Sequence, residues 1–138
     1  MEIYSLRRDV TVFGFRVKDF PAGIGAAYDL LVQNVAGGFD RPYFGIAYTA
    51  KDGTRVYKAT AQEKYEGEAQ KYSYERYTIE KGAYLAVTVY DWRNKTGSIK
   101  DVFQEIMKDN RVDKTKPCIE CYKNDQEMVC MVQTLTTT

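Results

Sequence analysis

The feature that most constrains the fold is an order of segments that occurs twice: strand, helix, hairpin. In the first pass, residues 10–18 alternate and are rich in β-branched and aromatic side chains, which predicts a strand. Phe20-Pro21-Ala22-Gly23 breaks it, and Ile24, Ala27, Tyr28, Leu31 and Val35 then form a helical stripe that ends at Gly37-Gly38. Pro42 opens a strand over 43–48, and Asp52-Gly53 is a hairpin signal that returns the chain through 55–61. With Asp52 and Gly53 as the two turn residues, Tyr57 lies opposite Tyr48. Residues 62–70 are charged, carry a glycine and read as a connection.

The second pass begins with strands over 72–79 and 83–92, joined at Lys81-Gly82. Leu85, Val87 and Val89 line one face of the longer strand, and Tyr84, Ala86, Thr88, Tyr90 and Trp92 the other. Ser98 is placed as a helix N-cap, followed by Ile99, Val102, Phe103, Ile106 and Met107 at amphipathic spacing and a stop at Asp109-Asn110. Residues 117–122 and 128–132 make a last hairpin turned at Asn124-Asp125, and the chain is expected to fray from Leu135. Setting Tyr48 on Tyr122 gives an offset of 74 that lays strand on strand, helix on helix and hairpin on hairpin, and places Glu120 on Ile46. The expected fold is α+β: duplicated βαββ units forming an antiparallel sheet, two helices on one face, and a pseudo-two-fold cleft at the seam.

The totals exclude several classes. At 138 residues, one domain over 1–138 is expected, with repeat halves about 2–65 and 72–134. A net charge of +1 and no basic run give no footprint for direct nucleic-acid binding. No apolar run approaches the roughly 18 residues of a membrane span, and no signal peptide opens the chain, so a cytoplasmic location is expected. Tyrosine is the residue in excess, with 12 copies, and its flat area and hydroxyl suit pockets, interfaces or half-exposed sheet faces alike.

Within the last hairpin, Pro117-Cys118-Ile119-Glu120-Cys121-Tyr122 sets one carboxylate among apolar and aromatic neighbours. A charge in such surroundings has a partner, a ligand or a shifted pKa, which makes Glu120 the leading functional residue. Cys118 and Cys121 point to opposite strand faces, which opposes a disulfide or a shared ion. With no histidine in the chain, neither a metal site nor a cofactor is expected. In a two-residue turn register, Cys121 and Cys130 share a face as small buried hydrophobes.

The βαββ–βαββ order, the strand Gly45-Ile46-Ala47-Tyr48, the strand start Gly82-Ala83-Tyr84 and the run Pro117 to Tyr122 together resemble the GyrI-like small-molecule-binding domain. That domain is also the effector-binding half of multidrug-sensing bacterial transcription activators. The resemblance implies a glutamate in an aromatic cleft that pairs with cationic or amphipathic compounds. Carried over, this is Glu120, with Tyr122, Tyr48, Tyr57, Tyr90 and Trp92 as candidate walls. The few residues before Val10 leave no room for a helix-turn-helix, so a stand-alone form, acting with a separate protein partner if it regulates transcription, is expected. Two alternatives follow from other members: a hydrolase of reactive small molecules with Glu120 as general base, and a protein-interaction module of the topoisomerase-inhibitor kind.

Overall fold

Residues 1–18, 22–38 and 41–135 are described by the computed structural model. The expected break at Phe20-Pro21 and most of the expected C-terminal fraying fall outside them. In chain order the elements are β1 (Glu2–Leu6), β2 (Val10–Arg16), α1 (Ile24–Asn34), β3 (Tyr43–Thr49), β4 (Arg55–Gln62), α2 (Glu68–Tyr72), β5 (Glu75–Ile79), β6 (Gly82–Tyr90), α3 (Ile99–Met107), β7 (Cys118–Tyr122) and β8 (Glu127–Gln133). The strands form one curled antiparallel sheet in the order β1-β6-β8-β7-β3-β4-β2-β5. Exchanging β1 to β4 for β5 to β8 reverses this order, so the sheet has two-fold topology about the β3–β7 seam.

Each half places one long helix on the same side of the sheet. Ala27 and Leu31 of α1 pack on Phe13, Tyr57, Ala59 and Ala61. Ile99 and Ile106 of α3 pack on Leu85, Val89, Met128 and Val132. The opposite face buries Val12, Phe44, Ile46, Ile79, Ala86, Ile119 and Met131 against one another, because the sheet curls over it. Apolar burial on both faces is the main stabilising term, at roughly 25 cal/mol per Å² of apolar surface removed from water.

Two elements depart from the sequence reading. Strand β1 pairs only with β6 and leaves four of its five residues exposed, so it carries no burial alternation to read. Helix α2 occupies part of the expected connection, and the strand expected from residue 72 starts at Glu75 because Ser73 adopts a left-handed φ of 60°.

Both hairpin registers also differ by one residue. The first loop is Lys51-Asp52-Gly53: Ala50 N–H donates to Thr54 O at 2.8 Å, Gly53 N–H donates to Ala50 O at 2.9 Å, and Gly53 holds a φ of 88°. Three-residue loops with glycine in the left-handed region are a standard hairpin solution. Tyr48 therefore pairs with Val56, and Tyr57 with Ala47. In the last hairpin Asn124 Oδ1 accepts the N–H groups of Gln126 and Glu127, both at 2.8 Å, so Asn124-Asp125-Gln126 forms the loop and Glu120 pairs with Cys130. A one-residue slip turns a side chain to the other face of the sheet. Cys130 thus shares a face with Glu120 rather than with Cys121.

The same parity corrects the repeat. Across the seam Gly45 pairs with Glu120 and Ile46 with Ile119. Glu120 and Ile46 therefore stand on opposite faces, and an even offset of 74 cannot preserve the face here. The centres of the two loops, Asp52 and Asp125, are 73 residues apart, which sets Glu120 on Ala47 instead. A small residue, not a large apolar one, occupies the symmetry-related position.

Candidate functional site

The site is assembled on the helix side of the seam. Alternation along β7 turns Glu120 and Tyr122 to that side, and the β3–β4 register brings Tyr57 there from the next strand but one. Between them lies Gly45, directly opposite Glu120. A Cβ on Gly45 would collide with Tyr57 Oη and Glu120 Oε1, so the absent side chain is what lets the hydroxyl and the carboxylate meet.

Tyr57 Oη donates to Glu120 Oε1 at 2.5 Å, and Tyr122 Oη donates to the same oxygen at 2.8 Å. Tyr28, on α1, has its hydroxyl 3.0 Å from that of Tyr57. Its ring meets those of Tyr43, Tyr57 and Tyr122 edge-on, with centroids 6.2, 6.5 and 5.5 Å apart. Trp92 closes the group, its ring 4.9 Å from that of Tyr122 and its Nε1–H donated to Asn124 O at 2.9 Å. Sequence reasoning had assigned Tyr28 only to the core stripe of α1. The hydroxyl on an otherwise aliphatic stripe was the signal that could have singled it out.

The electrostatics follow from burial. Desolvation pushes the Glu120 carboxyl above its ordinary pKa, opposed by the hydrogen bonds from Tyr57 and Tyr122 that favour the anion. Burial, with the Glu120 charge adding to it, raises the phenols of Tyr28 and Tyr122; for Tyr57, burial and the neighbouring Tyr28 act with Glu120 to do the same. All three thus remain donors at neutral pH. None of the ion pairs among the described residues includes Glu120, and its Oε2 accepts no hydrogen bond from them.

Of the six residues expected at the site, Glu120, Tyr122, Tyr57 and Trp92 come together. Tyr48 and Tyr90 stand on the other face. Tyr48 goes there because of the three-residue loop, and its ring covers Lys58 Nζ at 5.8 Å. Tyr90 ends β6 at 63% exposure. The expected shared parity of Tyr90 and Trp92 fails at Asp91, whose φ of 55° breaks the strand and turns Trp92 toward Tyr122.

Cys118 and Cys130 are free thiols on the Glu120 side, and burial raises them to about 11 and about 12, well outside the nucleophilic range at neutral pH. Among the described residues no group of three or more His, Cys, Asp or Glu side chains could hold a metal ion, and no helix is long and apolar enough to cross a membrane. A separate cavity of about 480 Å³ between β1 and the β5–β6 turn is lined by Leu6, Asp9, Glu80, Lys81, Gly82 and Gln133, and contains none of these aromatic groups.

The same architecture is found in solved structures. An integron cassette protein from the mobile metagenome of Vibrio cholerae aligns with a TM-score of 0.73 and 12% identity, over 96% of this chain and 94% of that one. SAV2435, in a structure bound to tetraphenylphosphonium, aligns with a TM-score of 0.68 and 14% identity, over 96% and 93%. A candidate transcription regulation protein from Staphylococcus aureus MU50 aligns with a TM-score of 0.60 and 14% identity, over 96% and 97%. No family model and no curated protein matches the chain by sequence. At these identities the likeness establishes the shared fold.

Chemically, the arrangement is an anion set among aromatic edges and faces. One carboxylate oxygen is held by two hydroxyls, and the other accepts no hydrogen bond from the described residues.

Proposed function

We propose that this chain is a GyrI-like domain that captures lipophilic cations at Glu120, with Tyr28, Tyr57, Tyr122 and Trp92 as the aromatic surround. The observation that carries this reading is the half-buried Glu120 carboxylate with no basic partner among the described residues. An uncompensated anion in apolar surroundings is costly, and a cation that brings its own apolar surface relieves the cost. Aromatic neighbours add roughly 0.5–2 kcal/mol each to a desolvated cation. The tetraphenylphosphonium complex of SAV2435, on the same fold, supports the ligand class. The likeness to a candidate transcription regulator supports a sensing role.

Trp92 is the single tryptophan, so its fluorescence reports on the site directly. Titration with tetraphenylphosphonium should quench it saturably. Glu120→Gln should weaken binding about tenfold or more, equivalent to about 1.4 kcal/mol, with the fold retained. Equal affinity in the variant would overturn the assignment.

A second reading is supported by the same polarity: with Oε1 held by Tyr57 and Tyr122, Oε2 is placed to take a proton from water, making Glu120 a general base of a hydrolase. Catalytic consumption of a strained electrophile, lost in Glu120→Gln, would favour it over capture alone.

A further inference from the structure

Each tyrosine hydroxyl has one proton to donate. Tyr57 commits its proton to Glu120 Oε1, so in the contact between Tyr28 and Tyr57 the donor must be Tyr28. The chain of bonds therefore has a single sense, from Tyr28 to Tyr57 to Glu120, joined on the same oxygen by Tyr122. Trp92 Nε1–H is likewise committed, to Asn124 O. Four ring donors of the cleft are spent, two of them directly on one carboxylate oxygen and a third, Tyr28, on the hydroxyl of Tyr57.

We propose that Tyr28 is a positioning residue for ligand capture: by donating to Tyr57 it fixes the sense of the hydroxyl chain, holds Glu120 as an anion and leaves Oε2 as the group that meets a cation. This deepens the reading of Glu120 as the cation partner and rests on it. The consequence for ligand class is that, among the described residues, the cleft offers acceptors and no uncommitted ring donor. It suits cations whose charge is delocalised or shielded and disfavours ligands that also carry an anionic or strongly accepting group.

Polarisation along a hydrogen-bond chain strengthens each bond, and a hydroxyl that itself accepts a bond is a better donor to the next acceptor. By hydrogen bonds Tyr28 reaches Glu120 through Tyr57, and its ring also meets that of Tyr122. The other titratable groups that face Glu120 are Tyr57 from β4, Tyr122 and Cys118 from β7, and Cys130 from β8. Tyr43 of β3 reaches Tyr28 by its ring, with its own hydroxyl donated to Gly38 O at 2.6 Å. The partly buried side chains of α3 that pack against the same core cluster as Tyr122 are Val102, Phe103 and Met107, which do not titrate. Glu120 is the acid of this set, so its protonation governs how binding depends on pH.

Tetraphenylphosphonium carries no titratable proton, so the pH dependence of its affinity reports the protein alone. In the wild type, affinity should rise with pH and level off as Glu120 ionises. Tyr28→Phe keeps the ring and removes the donor. It should move the midpoint upward by about half a pH unit, consistent with the modest strengthening expected per bond in such a chain. Tyr57→Phe, which removes a direct bond to the anion, should move it further, by about one to two units. A Tyr28→Phe midpoint identical to wild type overturns the proposal and leaves Tyr28 as wall only.

A second measurement separates this outcome from failure of the binding reading. Titration of the Glu120 side-chain carboxyl by carbon-13 NMR in the ligand-free protein reads the same midpoint without any ligand. If tetraphenylphosphonium fails to bind the wild type, the capture reading falls, and the NMR midpoint still decides whether Tyr28 acts through Tyr57.

Discussion

Two of the carboxylates drawn into the interior of this protein, Glu68 and Glu120, are treated in opposite ways. Glu68, 1% exposed, opens α2 and has its Oε2 2.5 Å from Arg41 Nη2, while its Oε1 accepts the Lys64 N–H at 2.8 Å. Burial pushes its pKa up, but the bonds from Arg41 and Lys64 outweigh burial and hold it below the ordinary range. Arg41 in turn lies over the Phe13 ring at 5.5 Å. Glu120 has hydroxyls where Glu68 has a guanidinium, and its pKa goes the other way. Hydroxyls orient a carboxylate without neutralising it. A buried acid that is already paired serves the fold, whereas one that is solvated by neutral donors keeps its charge available for a ligand.

The largest effect should come from breaking the closed pair. Glu68→Gln leaves Arg41 buried without a counter-charge, and two of its donors, Nε and Nη1, already have no partner among the described residues. Removing one member of a buried pair costs about 3–5 kcal/mol, so urea unfolding of Glu68→Gln should show a loss of that order. A loss below about 1 kcal/mol would mean that the pair is not sealed from water, since exposed pairs contribute in that range.

Next in size is Gly45→Ala. The added methyl group must displace Tyr57 or Glu120 in the middle of the sheet, and overpacking of this kind costs about 1–3 kcal/mol. Tetraphenylphosphonium binding should fall with it, because the hydroxyl–carboxylate contact is what the methyl group separates. Retention of both stability and binding would show that the seam has slack.

These two residues also show what could be read from sequence. Glu120 was legible because a charge inside an alternating apolar strand is conspicuous, and the βαββ order was legible from two clean helical stripes and two hairpin signals. Glu68 was not, since it lies in a charged connection where one more acid carries no signal until Arg41, 27 residues away, packs against it. The role of Gly45 depended on a register that loop length decides. Asp52-Gly53 announces a turn but does not say whether two or three residues make it, and the extra residue moved Tyr48 off the site. Trp92 meets Tyr122 by a route that strand parity does not give: the left-handed Asp91 turns it there.

A subtler contrast lies in acid and base response. Glu68, with its folded pKa lowered, contributes stability that is present above the unfolded glutamate value of about 4.3 and is lost as pH falls through its folded value. Glu120, with its folded pKa raised, contributes stability that is fully present below the unfolded value and is lost as pH rises through its folded value. Glu120→Gln should therefore match the wild type in melting temperature near pH 4 and exceed it at pH 7. A variant that is less stable than wild type at pH 7 would show that the two tyrosine bonds more than offset desolvation, which would make Glu120 structural in the sense that Glu68 is.

The smallest effect should come from Tyr90→Ser, and its smallness is informative. The chain is rich in tyrosine on both faces of the sheet, so aromatic abundance alone could be credited with the environment of Glu120. The geometry assigns that environment to the rings on one face only. Tyr90 is on the other, mostly in solvent, and surface changes of this kind stay within about 0.5 kcal/mol. Tetraphenylphosphonium affinity in Tyr90→Ser should stay within about twofold of wild type, while Trp92→Leu, two positions along but across the turn at Asp91, should weaken it by about threefold or more through loss of one aromatic contact. Equal losses in the two variants would place the ligand outside the seam, and the distinction drawn between an acid closed by arginine and one held open by tyrosines would lose its functional meaning.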